Sequence, residues 1–93
     1  MPCFVYIIGS ESKNRLSNFN GFRTYVGWSI DLEKRLKSHN SGVGAKSTRG
    51  RQWKLLYAER YDNRSEAMSR EWYLKRDRKF RKALVDSVSN INY

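Results

Sequence analysis

The sequence is poor in cysteine, proline and acidic residues, with one cysteine, one proline and nine Asp plus Glu among 93 residues. Because Cys3 is the only cysteine, neither an intrachain disulfide nor a cysteine-based zinc site is possible, which favours a reducing compartment. No apolar run approaches the roughly twenty residues of a membrane-spanning helix, and the first residues lack a basic signal-peptide segment. We therefore expect an intracellular location, cytoplasmic or nuclear, with neither secretion nor a membrane partner.

The shortage of acidic residues leaves a large excess of positive charge. Nineteen lysine and arginine residues give a formal net charge of +10, which predicts a polyanionic partner, with nucleic acid as the first candidate. The cations over residues 76–82 are a candidate surface for a phosphate backbone, although a charge run is more often a solvated face. A chain this short cannot build two independent cores, so we expect one domain over residues 1–93.

Three segments have the composition of β-strands. A continuous run of β-branched and aromatic residues predicts a buried strand over residues 3–8, and further patterns predict strands over 22–26 and 53–61. The polar segment between the first two strands is longer than the usual hairpin loop of about two to five residues. We expect an antiparallel pair of strands joined by this long loop.

Three helices are predicted to accompany these strands. Ser29 is a suitable N-cap for the first helix, and Gly42 marks its end. The inward positions of that helix are Ile30, Leu32 and Leu36. A second helix is expected to begin at Asn63 or Ser65, and apolar residues at i, i+4, i+8 spacing predict a third after residue 76. The order β-β-α-β-α-α builds a small three-stranded antiparallel sheet flanked by helices, an α/β fold of the α+β type.

A tyrosine lies on each of the first two predicted strands. Tyr6 closes the triplet Phe4-Val5-Tyr6, and Tyr25 opens the triplet Tyr25-Val26-Gly27. Taken alone, each tyrosine is most simply a half-buried strand aromatic. A phenol has a reference pKa near 10, so it is a poor base at neutral pH unless a nearby cation stabilises its phenolate.

Arg35 and His39 are four residues apart on the first predicted helix, so their side chains project from the same face. The guanidinium matches the geometry of phosphate oxygens, and an imidazole with a reference pKa near 6.5 is suited to proton relay. The simpler interpretation of this pair is a solvated helix face, because Lys34 and Lys37 flank it.

Glu71 is expected close to the inward face of the second helix, near the apolar residues Ala67 and Leu74. A carboxylate buried without a partner is costly. It therefore needs either a basic side chain such as Lys75 or a divalent cation. Glu66 is the competing carboxylate, but it falls in the first turn, where capping and helix-dipole roles suffice.

This order of side chains resembles the GIY-YIG nuclease family, in its small stand-alone single-domain form. The positions that carry the resemblance are Tyr6, Tyr25, Gly27, Arg35, His39 and Glu71. The first triplet is Phe-Val-Tyr in place of Gly-Ile-Tyr, so only the tyrosine and its strand setting match there. The family fold has the same β-β-α-β-α-α order as the elements predicted from the sequence.

The resemblance implies an endonuclease that hydrolyses phosphodiester bonds in DNA with Mg²⁺, structure-selective or weakly sequence-selective, in DNA repair or recombination. Its catalytic residues would be Tyr6, Tyr25, Arg35 and His39. Glu71 would bind the metal, for which Mn²⁺ can substitute. Besides DNA, the implied partners are a targeting protein or a second copy of the chain. The alternatives are a non-catalytic nucleic-acid-binding module with this fold and a small RNA-associated basic protein.

Residues 44–50 resemble a loop of small stand-alone GIY-YIG proteins. In a functional interpretation Lys46, Thr48 and Arg49 bind a DNA phosphate together with backbone N–H groups. A solubilising basic turn explains the same residues equally well. Both interpretations stay open from the sequence alone.

The three tryptophans and one further tyrosine have two possible roles. In so small a domain they are expected in the core, and stacking on unpaired bases is the alternative. These residues are Trp28, Trp53, Trp72 and Tyr73.

Overall fold

The computed structural model of the protein describes residues 2–11 and 22–91. The strands are β1 (Cys3–Glu11), β2 (Phe22–Ser29) and β3 (Lys54–Tyr61). The helices are α1 (Leu32–Ser41), α2 (Arg64–Arg76) and α3 (Arg78–Ile91), and a short 3-10 turn covers Lys46–Thr48. The predicted element order and the α+β class are confirmed. The predicted long loop after the first strand falls mostly on residues 12–21, outside the described residues.

The three strands form an antiparallel sheet in the order β2-β1-β3. β1 is the central strand, and its side chains are buried on both faces, with Val5 and Ile7 fully inaccessible to solvent. Tyr6 on this strand is opposite Gly27 of β2 and Ala58 of β3. The register therefore places the central tyrosine between two small residues.

Successive side chains of β1 point to opposite faces of the sheet and enter two apolar layers. The layer shared with α2 and α3 includes Cys3, Val5, Ile7, Val26, Ala67 and Leu74. The layer shared with α1 includes Tyr6, Ile8, Trp53, Tyr25, Leu32 and Leu36. Both candidate catalytic tyrosines therefore lie on the α1 side of the sheet.

The start of α1 differs from the prediction. Its N-cap is Asp31, whose carboxylate accepts a hydrogen bond from the Lys34 amide at 3.1 Å. The Ser29 hydroxyl instead accepts from the Asp31 amide, outside the helix. The predicted serine cap is wrong because the carboxylate two residues later satisfies the first free N–H groups of the helix. Ile30 was predicted to face inward, yet it precedes the helix and is 55% exposed.

The other predicted helix ends agree with the structure. Gly42 ends α1 with φ at 84°, in the left-handed region that favours glycine. Asn63 is the N-cap of α2, and its side chain accepts from the Glu66 amide at 2.8 Å. The Asn63 amide group also donates to the Glu66 carboxylate at 2.7 Å. Glu66 thus has the capping role that the sequence predicted as its simpler function.

A half-buried ion pair joins α2 to β3. The Arg70 guanidinium donates to Glu59 from Nε at 2.9 Å and from Nη2 at 3.1 Å, and the hydroxyls of Tyr57 and Tyr61 donate to the same carboxylate. Burial alone would raise the pKa of Glu59. The hydrogen bonds, led by those of Arg70, outweigh burial and lower the pKa to about 2.

We expect Glu59→Gln to lower the free energy of unfolding at pH 7 by about 1–3 kcal/mol, because the amide loses the charge-assisted bonds to Arg70. Since the folded-state pKa is lowered, this contribution is present above the ordinary value of 4.5 and is lost as the pH falls towards about 2. Urea unfolding of wild type and variant at pH 7 and at pH 3 measures the difference.

The matched control is Glu33→Gln, which removes an 86% exposed carboxylate that lies 4.0 Å from the Lys37 ammonium. Screening by solvent makes such exposed pairs weak, so this variant should unfold close to wild type at both pH values. A Glu59→Gln difference of the same size at pH 7 and pH 3 would contradict the ion-pair explanation.

Candidate active site

Tyr6 and Tyr25 lie on neighbouring strands, with ring centroids 6.5 Å apart. Gly27 is opposite Tyr6 in the sheet, and a Cβ at this glycine would come within 2.5 Å of the Tyr6 hydroxyl oxygen. The phenol ring therefore lies across β2 at a place where only glycine leaves room. This close approach is the physical reason for the glycine that ends the second triplet.

His39 is fully buried beside the two tyrosines, with its ring centroid 4.9 Å from Tyr25 and 5.9 Å from Tyr6. Its Nε2 is 2.8 Å from the Tyr6 hydroxyl oxygen, and its Nδ1 is 2.9 Å from Oγ1 of Thr48. Both ring nitrogens thus have a hydrogen-bond partner in the interior, as a buried histidine requires.

The hydrogen bonds of Thr48 determine which nitrogen of His39 carries the proton. The Thr48 hydroxyl donates to the Ala45 carbonyl at 2.7 Å, so its oxygen accepts from His39 and Nδ1 is protonated. In the neutral ring Nε2 then has a free lone pair and accepts from the Tyr6 hydroxyl. Three hydrogen bonds therefore run in one direction, from Tyr6 through His39 and Thr48 to Ala45.

The loop after α1 packs directly on His39. A Cβ at Gly44 would lie 2.7 Å from His39 Nδ1, so the loop backbone approaches the ring closely. The Trp53 indole donates to the Thr48 carbonyl at 2.8 Å. The Asn40 side chain also bonds the Trp53 backbone, donating to its carbonyl at 3.0 Å and accepting from its amide at 2.5 Å. These contacts hold Thr48 against the imidazole.

The predicted phosphate clamp consists of Lys46, Thr48, Arg49 and backbone N–H groups of the loop. Thr48 does not fit this role. Its side chain is fully buried, and its hydroxyl is already bonded to His39 and Ala45. Lys46 and Arg49, the other two predicted clamp residues, are exposed, so phosphate binding by them stays a prediction. The role of Thr48 is not predictable from sequence patterns, because nothing in its spacing links a loop threonine to a histidine nine residues earlier.

Arg35 lies one turn before His39, and its guanidinium is close enough to Tyr6 to act on the pKa of the phenol. Burial raises the pKa of Tyr6, and Arg35 opposes this rise without overcoming it. Burial, and then the positive charge of Arg35, lower the pKa of His39 below its ordinary value of 6.5. At neutral pH the phenol is therefore protonated and the imidazole neutral, which are the states that their hydrogen bond needs.

Glu71 comes from α2 and lies close enough to Tyr6 for its negative charge to add to the rise in the pKa of the phenol, which burial dominates. Its side chain is 19% exposed, and its Oε1 is 3.2 Å from the Lys75 ammonium. The ion pair that the sequence offered as the simpler explanation is thus present. Because the Lys75 side chain is 52% exposed, it is free to leave the carboxylate when another cation competes.

The side chains around Glu71 suit a cation that keeps most of its own water. In the part of the chain that the structure describes, no group of three or more His, Cys, Asp or Glu residues could hold a metal. Mg²⁺ commonly binds through one or two carboxylates plus substrate phosphates and water. The Glu71 carboxylate, close enough to Tyr6 to act on the pKa of the phenol, could hold an ion in that way.

Of the four aromatic residues for which base stacking was the alternative role, two lie in the core and two at the surface. Trp53 is buried in the α1 layer, and Trp28 packs against the layer of α2 and α3, as predicted. Trp72 and Tyr73 are 51% and 61% exposed, so the prediction that they belong to the core is wrong. They lie on the solvent side of α2 because Ala67 and Leu74 occupy the buried side.

The fold is that of a small α+β domain with its two tyrosines on neighbouring strands of one sheet. A sequence profile of the GIY-YIG catalytic domain matches residues 2–83. The chain therefore belongs to the GIY-YIG family, as the resemblance of its sequence predicted. Across residues 2–11 and 22–91, none of the helices has the length and apolar character needed to cross a membrane.

Relatives match the chain over nearly its full length. It is 48% identical over 94 residues to the UPF0213 protein CPE1444 of Clostridium perfringens, covering 97% of this chain and 91% of the relative. It is 41% identical over 91 residues to the UPF0213 protein HQ_3675A of Haloquadratum walsbyi, covering 96% and 92%. The solution NMR structure of the UPF0213 protein BH0048 from Bacillus halodurans is 35% identical, covers 92% of this chain and 84% of that chain, and has a TM-score of 0.48.

We expect NMR titration of His39 to give a pKa below 6.5 and nitrogen shifts of the Nδ1–H tautomer, because burial and Arg35 disfavour the imidazolium. The signals are unambiguous, since the chain has a single histidine. Arg35→Ala should move the pKa of His39 upwards, because one neighbouring positive charge is gone. Lys37→Ala, on an exposed side chain of the same helix, should leave it unchanged. A wild-type pKa above 6.5 or an Nε2–H tautomer would contradict the assigned hydrogen-bond directions.

Proposed function

We propose that this protein is a Mg²⁺-dependent endonuclease that hydrolyses phosphodiester bonds in DNA, with structure-selective or weakly sequence-selective action. The observation that carries the proposal is the hydrogen bond from the Tyr6 hydroxyl to the unprotonated nitrogen of the buried His39, beside the Arg35 guanidinium. A phenol connected to a neutral imidazole next to a phosphate-binding cation supports proton transfer from water during attack on a phosphate.

The proton path follows the direction of the hydrogen bonds. The attacking water gives a proton to the Tyr6 oxygen while the phenol passes its own proton to His39 Nε2. The water oxygen forms the new bond to phosphorus, and the bond from phosphorus to the leaving oxygen breaks. The imidazolium that results is stabilised by Nδ1–H donation to Thr48, whose hydroxyl is fixed on the Ala45 carbonyl.

Arg35 and Tyr25 act on the phosphate side of this path. The planar guanidinium of Arg35 binds phosphate oxygens and stabilises the additional negative charge of the transition state. Tyr25, on the strand next to Tyr6, faces the same phosphate with its hydroxyl. Neither group has to change its protonation state, so both serve as fixed electrostatic partners of the reacting phosphate.

Glu71 is the residue that would hold Mg²⁺. When bound, the ion supplies Lewis-acid stabilisation of the phosphate and of the leaving 3′ oxygen. The carboxylate would contribute one ligand to the ion in place of its ion pair with Lys75. The formal charge of +10 supports DNA as the substrate, because contacts to phosphates supply most of the affinity and carry little sequence information.

Glu71→Gln should abolish DNA cleavage while DNA affinity stays the same or rises slightly, because one repelling charge is removed and the metal ligand is lost. Cleavage of nicked, branched, single-stranded and duplex DNA in Mg²⁺ and in EDTA measures activity, and anisotropy in EDTA measures binding. Lys75→Ala is the matched control, since it breaks the same ion pair and keeps the carboxylate. It should cut DNA close to the wild-type rate.

Equal loss of activity in Glu71→Gln and Lys75→Ala, with equal loss of thermal stability, would reduce Glu71 to an ion-pair residue. A Glu71→Gln protein that folds and cuts normally would remove it from the mechanism. Intact DNA binding without cleavage of any substrate by the wild type would favour the alternative function, a non-catalytic nucleic-acid-binding module with this fold.

Thr48→Val should reduce cleavage at least about tenfold, because the isosteric side chain offers no acceptor to His39 Nδ1–H and leaves a buried donor unpaired, at a cost of about 1–3 kcal/mol. The histidine then favours its Nε2–H tautomer, which cannot accept from Tyr6. Thr48→Ser keeps the hydroxyl and should retain activity and the Nδ1–H tautomer. NMR nitrogen shifts of His39 report its tautomer, and single-turnover rates report cleavage. A Thr48→Val protein that has the Nε2–H tautomer and still cuts DNA would exclude proton transfer through Tyr6 to His39.

A further inference from the structure

The proposed mechanism leaves a row of side chains on α2 unused. Met68, Trp72 and Arg76 are spaced four residues apart, so they are neighbours along one side of the helix. All three are exposed to solvent. We refer to these three residues as the stacking row.

The stacking row is cationic and aromatic. The guanidinium carbon of Arg76 is 3.7 Å from the centroid of the Trp72 ring, and its Nη1 donates to the Trp72 carbonyl at 3.1 Å. The ring of Tyr73 meets that of Trp72 at 5.1 Å between centroids, with an interplanar angle of 84°. The two contacts hold a flat guanidinium and an indole at the surface of the helix.

The row begins next to the proposed metal ligand. Met68 is three residues before Glu71, and Trp72 is three residues before Lys75, the ion-pair partner of Glu71, so each of these pairs is adjacent on the helix surface. Glu71 and Lys75 thus form one line of the helix surface, and the stacking row forms the adjacent line. A DNA strand whose phosphate lies at Glu71 has its flanking nucleotides within reach of the row.

We propose that the stacking row binds an unpaired nucleobase of the substrate strand next to the cleaved phosphate. This inference rests on the proposed function and names the form of DNA that the site prefers. Aromatic faces and guanidinium planes stack on splayed bases, whereas bases within a duplex are covered by their neighbours. The charge of +10 disfavours a second copy of the chain on this surface and favours a polyanion that carries flat bases.

The test compares a labelled single-stranded oligonucleotide with a duplex of the same length, by fluorescence anisotropy in EDTA so that no cleavage occurs. Trp72→Ala should weaken binding of the single strand about 5- to 100-fold, the range expected for one base stacked on an aromatic ring. Duplex binding should stay nearly unchanged. Trp72→Phe keeps a ring at the same place and should recover most of the single-strand affinity.

A second pair of variants separates stacking from charge. Arg76→Lys keeps the positive charge but removes the flat guanidinium, so it should weaken single-strand binding and leave duplex binding intact. Lys79→Ala removes an exposed cation of α3 and should weaken both substrates alike, because its effect on phosphates is independent of base pairing.

Equal losses on single strand and duplex in Trp72→Ala would overturn the inference, and so would an unchanged single-strand affinity. Loss of self-association in sedimentation would assign the row to a second copy instead. Circular dichroism checks folding, and Arg76→Lys and Trp72→Phe decide the question if Trp72→Ala is unfolded. Because binding is measured without metal, it can be judged apart from cleavage. If Trp72→Ala loses affinity for the single strand alone and the wild type cuts no DNA, the stacking row is retained and the endonuclease proposal is rejected.

Discussion

The candidate site depends on the hydrogen bond between Tyr6 and His39, which joins the central strand of the sheet to α1 in the interior. Each group is buried, so leaving either one unpaired would cost about 1–3 kcal/mol. The series of hydrogen bonds continues from His39 Nδ1 through Thr48 to the Ala45 carbonyl, so the second nitrogen of the ring also has a partner. The same bonds that compensate burial of the imidazole therefore also select its tautomer.

Two glycines make room for this arrangement. Gly27 lets the Tyr6 phenol lie across β2, and Gly44 lets the loop backbone approach His39 until the hydroxyl of Thr48 meets Nδ1. A side chain at either position would separate the partners by more than a hydrogen bond tolerates. The two hydrogen bonds between the uncharged Asn40 side chain and the Trp53 backbone then hold the loop in place.

Sequence patterns predicted the order of elements and the family, because strands, helices and glycine ends are encoded by local composition. The pairing of Tyr6 with His39 spans 33 residues and emerges only when α1 packs on the sheet. The internal role of Thr48 was not predictable, since its hydrogen-bond partners depend on the loop conformation. Trp72 was misplaced in the core, because aromatic composition does not reveal which side of α2 is covered. Asp31 takes the place of Ser29 as the cap because β2 continues to Ser29, three residues beyond the predicted end of the strand.

In the candidate site the buried groups are neutral and the charged groups are partly exposed. The buried phenol and imidazole are kept neutral by burial, whereas Arg35 on α1 and Glu71 on α2 are partly exposed at the rim of the site. Charges at the rim remain available to a phosphate and to a cation, whereas charges in the interior would require compensation within the fold. Changes to Tyr6 or His39 therefore combine folding and chemistry, and only the rim residues allow the two to be measured apart.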